Sequence, residues 1–224
     1  NRYESERARL LLPLAWLGRI ADTPEHRRWL RLVAQYVLDA QDESGAIRQT
    51  VIRGEKSNEQ YGAGEAPLIH ATGDPCTDLL YTSNFAFLGL HEAAAATGDA
   101  DLKRTADRLA DFLVRIQVRG DKPTELDGAW FRGFDFRRWD YWGSNGDIGW
   151  GVWATETGWT QGWIASVLAM REMKTSLWDI TKNSSIGDNF EKVRSVMLPD
   201  TNAESAWRGQ NSSQGRSSTA IPPF

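Results

Sequence analysis

The stretch FAFLGLHEAAAATGDADLKRTADRLADFLVRIQ, residues 85–117, decides the fold class. Its first half belongs to a segment from Asp78 to Thr97. Wound as a helix, that segment is apolar on almost every side, through Phe85-Ala86-Phe87-Leu88-Gly89-Leu90 and then Ala93 to Ala96. Its second half, Ala100 to Gln117, is amphipathic. Leu102, Ala106, Leu109, Leu113 and Ile116 recur at helical spacing, opposite Lys103, Arg104, Asp107, Arg108 and Asp111. A helix buried all round, followed by one buried on a single face, reads as one hairpin laid across two layers.

The same grammar extends in both directions. Upstream, Glu4 to Ile20 contains Leu10-Leu11-Leu12-Pro13-Leu14-Ala15-Trp16-Leu17, which predicts a buried helix kinked at Pro13. Its partner opens at Thr23-Pro24-Glu25, an N-cap residue with proline at the first helical position, and runs to about Gln41. Trp29, Val33, Tyr36 and Val37 share its inner face. Downstream, a third inner segment opens at Gly158 and reaches Met173, with Trp159, Trp163, Val167 and Met170 on one face. Weaker segments follow at Thr175 to Thr181 and Ile186 to Met197. Direct echoes support a repeat: Ala15-Trp16-Leu17-Gly18 against Ala86-Phe87-Leu88-Gly89, and Gly45-Ala46-Ile47-Arg48 against Gly128-Ala129-Trp130-Phe131-Arg132. Their spacing of roughly 70 to 80 residues exceeds that of ordinary solenoids because long loops intervene.

Alternating all-buried and half-buried helices predict an all-α protein of two concentric layers, an α/α toroid. Residues 1–198 would form its three hairpins and 199–224 an extended or disordered arm, rich in Ser, Asn, Gln and Gly. Two long loops, Asp42 to Thr77 and Val118 to Thr157, each lead into an inner helix. They are therefore expected at the same end, where helix dipoles favour anionic groups.

Composition bounds the function. The 224 residues carry a net charge of −4, 41% apolar residues, one cysteine, three histidines and eleven tryptophans. No apolar stretch reaches the ~20 residues of a membrane span, and the slight acidity without a basic stripe argues against nucleic acid. A membrane partner is likewise not expected. Cys76 alone excludes an internal disulfide framework or a Cys-rich zinc site, and His70, Asp74, Cys76 and Asp78 lack zinc-ligand spacing. No P-loop, GxSxG elbow or GxGxxG turn is present, so neither metal nor cofactor is expected. Asn1 in place of an initiating Met leads us to expect a chain that is processed or drawn from something longer.

Chemistry concentrates between Trp130 and Trp163, where seven tryptophans alternate with Asp127, Asp135, Asp140, Asp147 and Glu156. A flat aromatic ring matches the C–H face of a sugar, and neighbouring carboxylates and amides bond its hydroxyls. Trp142, Trp150, Trp153 and Trp159, with Asn145, Gln161 and Arg132, are candidate sugar contacts. The alternative is that the rings are core.

Glycoside hydrolysis needs two carboxyl groups, one on each side of the bond. Glu156 is the first candidate, just before an inner helix and among tryptophans, although an acid there also complements a helix dipole. Asp147 is the second, with a turn residue as its alternative. Asp78, at the other helix entrance, is the third, though it reads more readily as an N-cap. His70, Tyr81 and Asn84 suit a different chemistry, β-elimination from a uronic acid. His70 also reads as an ordinary loop residue, and His91, beside Glu92 in mid-helix, as a structural one. A terpene cyclase would need DDxxD or DxDD, which is absent.

The paired helices, with Asp127-Gly128-Ala129-Trp130-Phe131-Arg132, Tyr141-Trp142-Gly143-Ser144-Asn145, Gly149-Trp150-Gly151 and Glu156-Thr157-Gly158-Trp159-Thr160-Gln161, resemble the six-hairpin glycosidase superfamily over roughly Arg2 to Thr181. The resemblance implies sugar chemistry on an oligosaccharide or polysaccharide, with acids in the loops before inner helices at positions matching Asp78 and Glu156. It also implies a periplasmic or extracellular location. A closed toroid of this type has six hairpins and three are legible, so a missing N-terminal half or another copy of the chain would complete the ring. Three functions stay open: a hydrolase, a polysaccharide lyase, and a non-catalytic sugar-binding domain.

Overall fold

Pro13 sits in the first turn of a helix rather than at a kink. In a computed structural model, which describes residues 4–49, 75–142, 155 and 159–197, Glu4–Leu10 is a 3-10 helix and α1 spans Leu11–Ile20. The missing proline N–H falls where helical N–H groups have no intrahelical acceptor, so it costs α1 no helical hydrogen bond. The described residues are mostly helical. α2 spans Pro24–Ala40 and is capped by the Thr23 side chain, which accepts from the His26 N–H. α3 spans Thr82–Thr97, α4 spans Ala100–Ile116 and α5 spans Trp159–Glu172. Asp99 caps α4 by accepting from the Asp101 and Leu102 N–H groups.

α3 lies between α1 and α5 and also packs against α4 and the 3-10 segment. α2 packs on α1 and touches α4. The predicted burial pattern holds for α3, which is buried nearly all round, and for amphipathic α4. It fails for α1, where only Leu11 and Ala15 are buried and Ile20 is 72% exposed. The reason is local: α1 has α2, the 3-10 segment and α3 as its main neighbours among the described residues, so its other side stays open. Contact between α1 and α3 is tight because Gly89 has no side chain. A Cβ there would come 2.4 Å from the Leu11 Cβ.

The two long loops meet in a two-stranded antiparallel sheet. β1, Cys76–Asp78, pairs with β2, Gly133–Asp135, in the register Cys76 to Asp135, Thr77 to Phe134 and Asp78 to Gly133. Three-residue strands carry no readable alternation, and the sequence reading missed them.

The Gly-Ala echo has a common structural cause. Gly45 and Gly128 both adopt left-handed backbone, at φ +97° and +82°. Gln41 and Gln117 are the C-caps of α2 and α4. Their side-chain amides donate to the Gly45 and Gly128 carbonyls at 3.1 and 2.7 Å. Ile47 and Trp130, two residues after each glycine, are then buried.

Contacts divide the chain into two units, Asn1–Asp179 and Ile180–Phe224. The division falls within the short α6, Leu177–Thr181, and α7, Ile186–Met197, belongs to the second unit. The expected boundary at 198/199 and the arm 199–224 lie outside the described residues.

Candidate functional site: the entrances of two helices

Asp78 ends β1 and turns the chain into α3. One carboxylate oxygen accepts from the Leu80 N–H at 2.8 Å and the Tyr81 N–H at 3.4 Å, and the other accepts from Arg132 Nη2 at 3.4 Å. Asp78 and Arg132 are each 1% exposed. The backbone binds alongside, the Leu79 N–H donating to the Arg132 carbonyl at 2.7 Å. Thr77 and Ser83 share a buried hydroxyl hydrogen bond of 2.7 Å across the same turn. Asp78 thus holds the entrance of α3 in place, with the Arg132 side chain buried beside it.

This turn delivers Tyr81 and Phe85 to one face of α3. Their rings stack at 6.3 Å, and each meets a tryptophan of α5 edge-on, Tyr81 against Trp159 at 5.6 Å and Phe85 against Trp163 at 5.3 Å. Asn84 ties the two helix starts together by donating from Nδ2 to the Leu80 and Trp159 carbonyls. From the 3-10 segment, the Arg9 guanidinium lies over Phe85 at 4.5 Å and Tyr81 at 5.9 Å. Arg9, Leu12, Phe85, Leu88, Trp159 and Trp163 line a cavity of about 270 Å³. Trp159 stands at its rim, 42% exposed.

Three buried polar atoms near these helix starts have no hydrogen-bond partner among the described residues: Thr82 Oγ1, Asn84 Oδ1 and Thr160 Oγ1. Buried polar groups are usually paired, so their clustering is uncommon.

Other expected sugar contacts have structural work. Gln161 accepts from the Trp130 N–H at 2.9 Å and donates to the Trp130 and Thr155 carbonyls, clamping the loop onto α5. Trp130 itself is buried, its indole N–H bonded to the Leu113 carbonyl. Trp142 lies under Arg138 at 4.8 Å, and its carbonyl accepts from the Cys76 thiol. Asp135 caps the turn that follows it, accepting from the Arg137 and Arg138 N–H groups at 2.9 Å. Asp127 and Asp140 also accept from backbone N–H groups nearby. His91 shares a hydrogen bond with the Thr175 carbonyl at 2.8 Å. Burial pushes the Tyr141 hydroxyl above its usual range, and it donates to the Ile116 carbonyl.

Glu156, Asp147, Asn145, Trp150, Trp153 and His70 lie outside the described residues. Of the expected set, Tyr81 and Trp159 come together, and Trp159 lines the cavity. Sequence reasoning missed Arg9, Phe85 and Trp163 as parts of this site. Phe85 and Trp163 were legible as apolar helix positions, but nothing local signals that Arg9 reaches a ring 76 residues away.

Among the described residues, no group of three or more His, Cys, Asp or Glu side chains is placed to hold a metal ion. Among them, too, no helix is long and apolar enough to cross a membrane. No protein-family model, curated protein or solved structure matches the chain.

Proposed function

We propose that this chain is part of a carbohydrate-active enzyme that hydrolyses glycosidic bonds in oligosaccharides derived from polysaccharides. The observation that carries this reading is the cavity between α3 and α5, with three aromatic rings and an exposed Trp159 at its rim. Such rings offer the C–H face of a pyranose an apolar platform. The neighbour order α1, α3, α5, with α2 on α1 and α4 on α3, fits two hairpins of an α/α toroid and the first helix of a third. In that arrangement the cavity faces the lumen, and further chain or a second copy supplies the remaining hairpins. The same resemblance supports a periplasmic or extracellular location.

Glu156, three residues before Trp159, is the proposed general acid. Desolvation by the tryptophans near it in sequence would keep it protonated to deliver a proton to the leaving oxygen. Asp147 is the proposed base or nucleophile. Asp78, with both oxygens engaged, positions the α3 entrance rather than meeting substrate.

Release of reducing ends from a panel of saturated glycans tests the reading. Glu156→Gln should lower turnover by roughly 10²–10⁴, the usual contribution of a general acid, while leaving the melting temperature unchanged. Full activity in that variant removes Glu156 from the mechanism.

A lyase reading is favoured by one observation: Asn84 Oδ1 is buried without a partner among the described residues, one turn from Tyr81. Its product would be an unsaturated uronide absorbing in the near ultraviolet, which hydrolysis of a saturated glycan does not give. Sugar binding without turnover, unchanged in Glu156→Gln, would instead mark a binding domain.

A further inference from the structure

α1 reads LLPLAWLGRI, with Arg19 its only charge, and a helix apolar all round calls for cover on every side. The side away from α3 exposes an apolar stripe at helical spacing instead: Leu10 at 45%, Pro13, half-buried Leu17 and Ile20 at 72%. At the other end of the row α1, α3, α5, the last helix also has an open side. α5 buries Thr160, Ile164, Val167 and Met170 and exposes Ala165, Ser166 and Ala169. A Cβ on Gly162, in the same stripe, would meet nothing within 4 Å. One open face carries large side chains and the other small ones.

We propose that these two faces meet between two copies of this chain, α1 of each packing on α5 of the other, so that a two-fold dimer closes the row into a ring. This rests on the ring arrangement in the reading above and names the partner that completes it. The contact repeats one made within the chain, where Leu11 of α1 fills the place of the side chain that Gly89 of α3 lacks. The row is also regular in height. Leu11 meets Gly89, Gly18 shares a cavity with Ala96, and Tyr81 and Phe85 meet Trp159 and Trp163. Each of these pairs is 78 positions apart, so the three helices run parallel and level. Two such steps place Ser166 at the height of Leu10, Ala169 at that of Pro13 and Met173, 68% exposed, at that of Leu17. In a closed ring those residues of one copy face those of the other, and a large side chain meets a small one at the first two heights. Packing α1 on a second α1 would set large against large and leave α5 bare. A head-to-tail contact of this kind grows without end unless a rotation closes it, and the two-fold closes it at two copies.

Sedimentation equilibrium of the 224-residue chain tests this, with a single dimeric species expected. Leu17→Glu and Ala169→Glu should each weaken dimerisation about tenfold or more, since each strands a charge in an apolar contact. Cysteine pairs identify the faces. Leu17→Cys mixed with Met173→Cys should cross-link through a short bismaleimide, while neither variant alone should, and this readout stands even where a glutamate variant fails to fold. A monomer overturns the inference, and reducing-end release by that monomer leaves the carbohydrate reading standing. Cross-linking in Leu17→Cys alone overturns it by placing α1 on α1, and an open-ended series of oligomers overturns the closed pair. A dimer that cross-links as expected but releases no reducing ends keeps the inference and removes the hydrolase reading.

Discussion

Asp78 and Arg132 form a buried ion pair, 3.4 Å apart, that fastens the end of one long loop to the other. Two backbone N–H groups complete the coordination of the carboxylate. Removing one partner strands the other charge in the interior. Arg132→Met should therefore destabilise the protein by roughly 3–5 kcal/mol in urea unfolding, the range for breaking a buried pair. Adding Asp78→Asn should recover part of that loss. If Arg132→Met unfolds like the wild type, the pair does not hold the loops.

Glu92 is fully buried on α3 and accepts three N–H donors: the Trp16 indole at 2.9 Å, and the Leu177 and Trp178 backbone amides at 2.6 and 3.3 Å. One carboxylate thus joins α1, α3 and the start of α6. Glu92→Gln replaces an acceptor with a donor facing N–H groups, and about 1–3 kcal/mol should be lost for a buried group left unsatisfied. Near-ultraviolet dichroism should change as well, because the Trp16 and Trp178 rings meet edge-on at 5.5 Å beside this carboxylate. Unchanged stability and dichroism would contradict the role.

Two glycines that echo one another in sequence should respond oppositely to alanine. At Gly89 the new Cβ would press on Leu11, and overpacking of this kind costs about 1–3 kcal/mol. At Gly18, inside α1, nothing lies within 4 Å of the added atom. Gly18→Ala should stabilise by roughly 0.5–1 kcal/mol through the lower backbone entropy of alanine. Thermal unfolding of both variants, measured side by side, checks the close approach of α1 to α3.

Asp107 on α4 pairs with Arg171 on α5 and with Lys103 at 2.7 Å. Partial burial opposes its ionisation, but the hydrogen bonds from these two cations outweigh that effect and hold the carboxyl below its ordinary value of 3.8. A depressed folded pKa gives stability that is full above that value and is lost as pH falls through the lower one. Because the pair is partly exposed, Asp107→Asn should remove only about 0.5–1 kcal/mol near neutral pH. The gap between variant and wild type should close in acid, below about pH 3.8. A gap that stays constant with pH would show that the carboxylate charge is not what binds α4 to α5.

The helices were legible because each carries its own evidence. The amphipathic stripe of α4, the Thr23-Pro24 start of α2 and the all-round apolar character of α3 are properties of single segments, readable at a period of 3.6. The Gly-Ala echo was legible too, since a left-handed turn after α2 and after α4 requires glycine at Gly45 and Gly128. The 3-10 start of the chain was not, because Pro13 is compatible with both a kink and a first turn.

Tryptophans and acids in a loop point to a sugar surface, but composition does not separate a ring on the rim, such as Trp159, from one in the core, such as Trp130. Nor does it reveal that Arg132 neutralises a buried aspartate.

By itself, then, the sequence determined which segments wind into helices, which of their faces are apolar and where the chain must turn. These depend on neighbours within about four residues. Tertiary structure alone decided that Asp78 meets Arg132, that Glu92 reaches Trp16 and α6, and that Arg9 lies across Phe85. Each of those contacts joins residues more than fifty positions apart. Whether a polar side chain ends in a buried pair or beside a cavity depends on how helices dock, and docking is set by the shapes of whole faces, through steps as small as the missing side chain of Gly89.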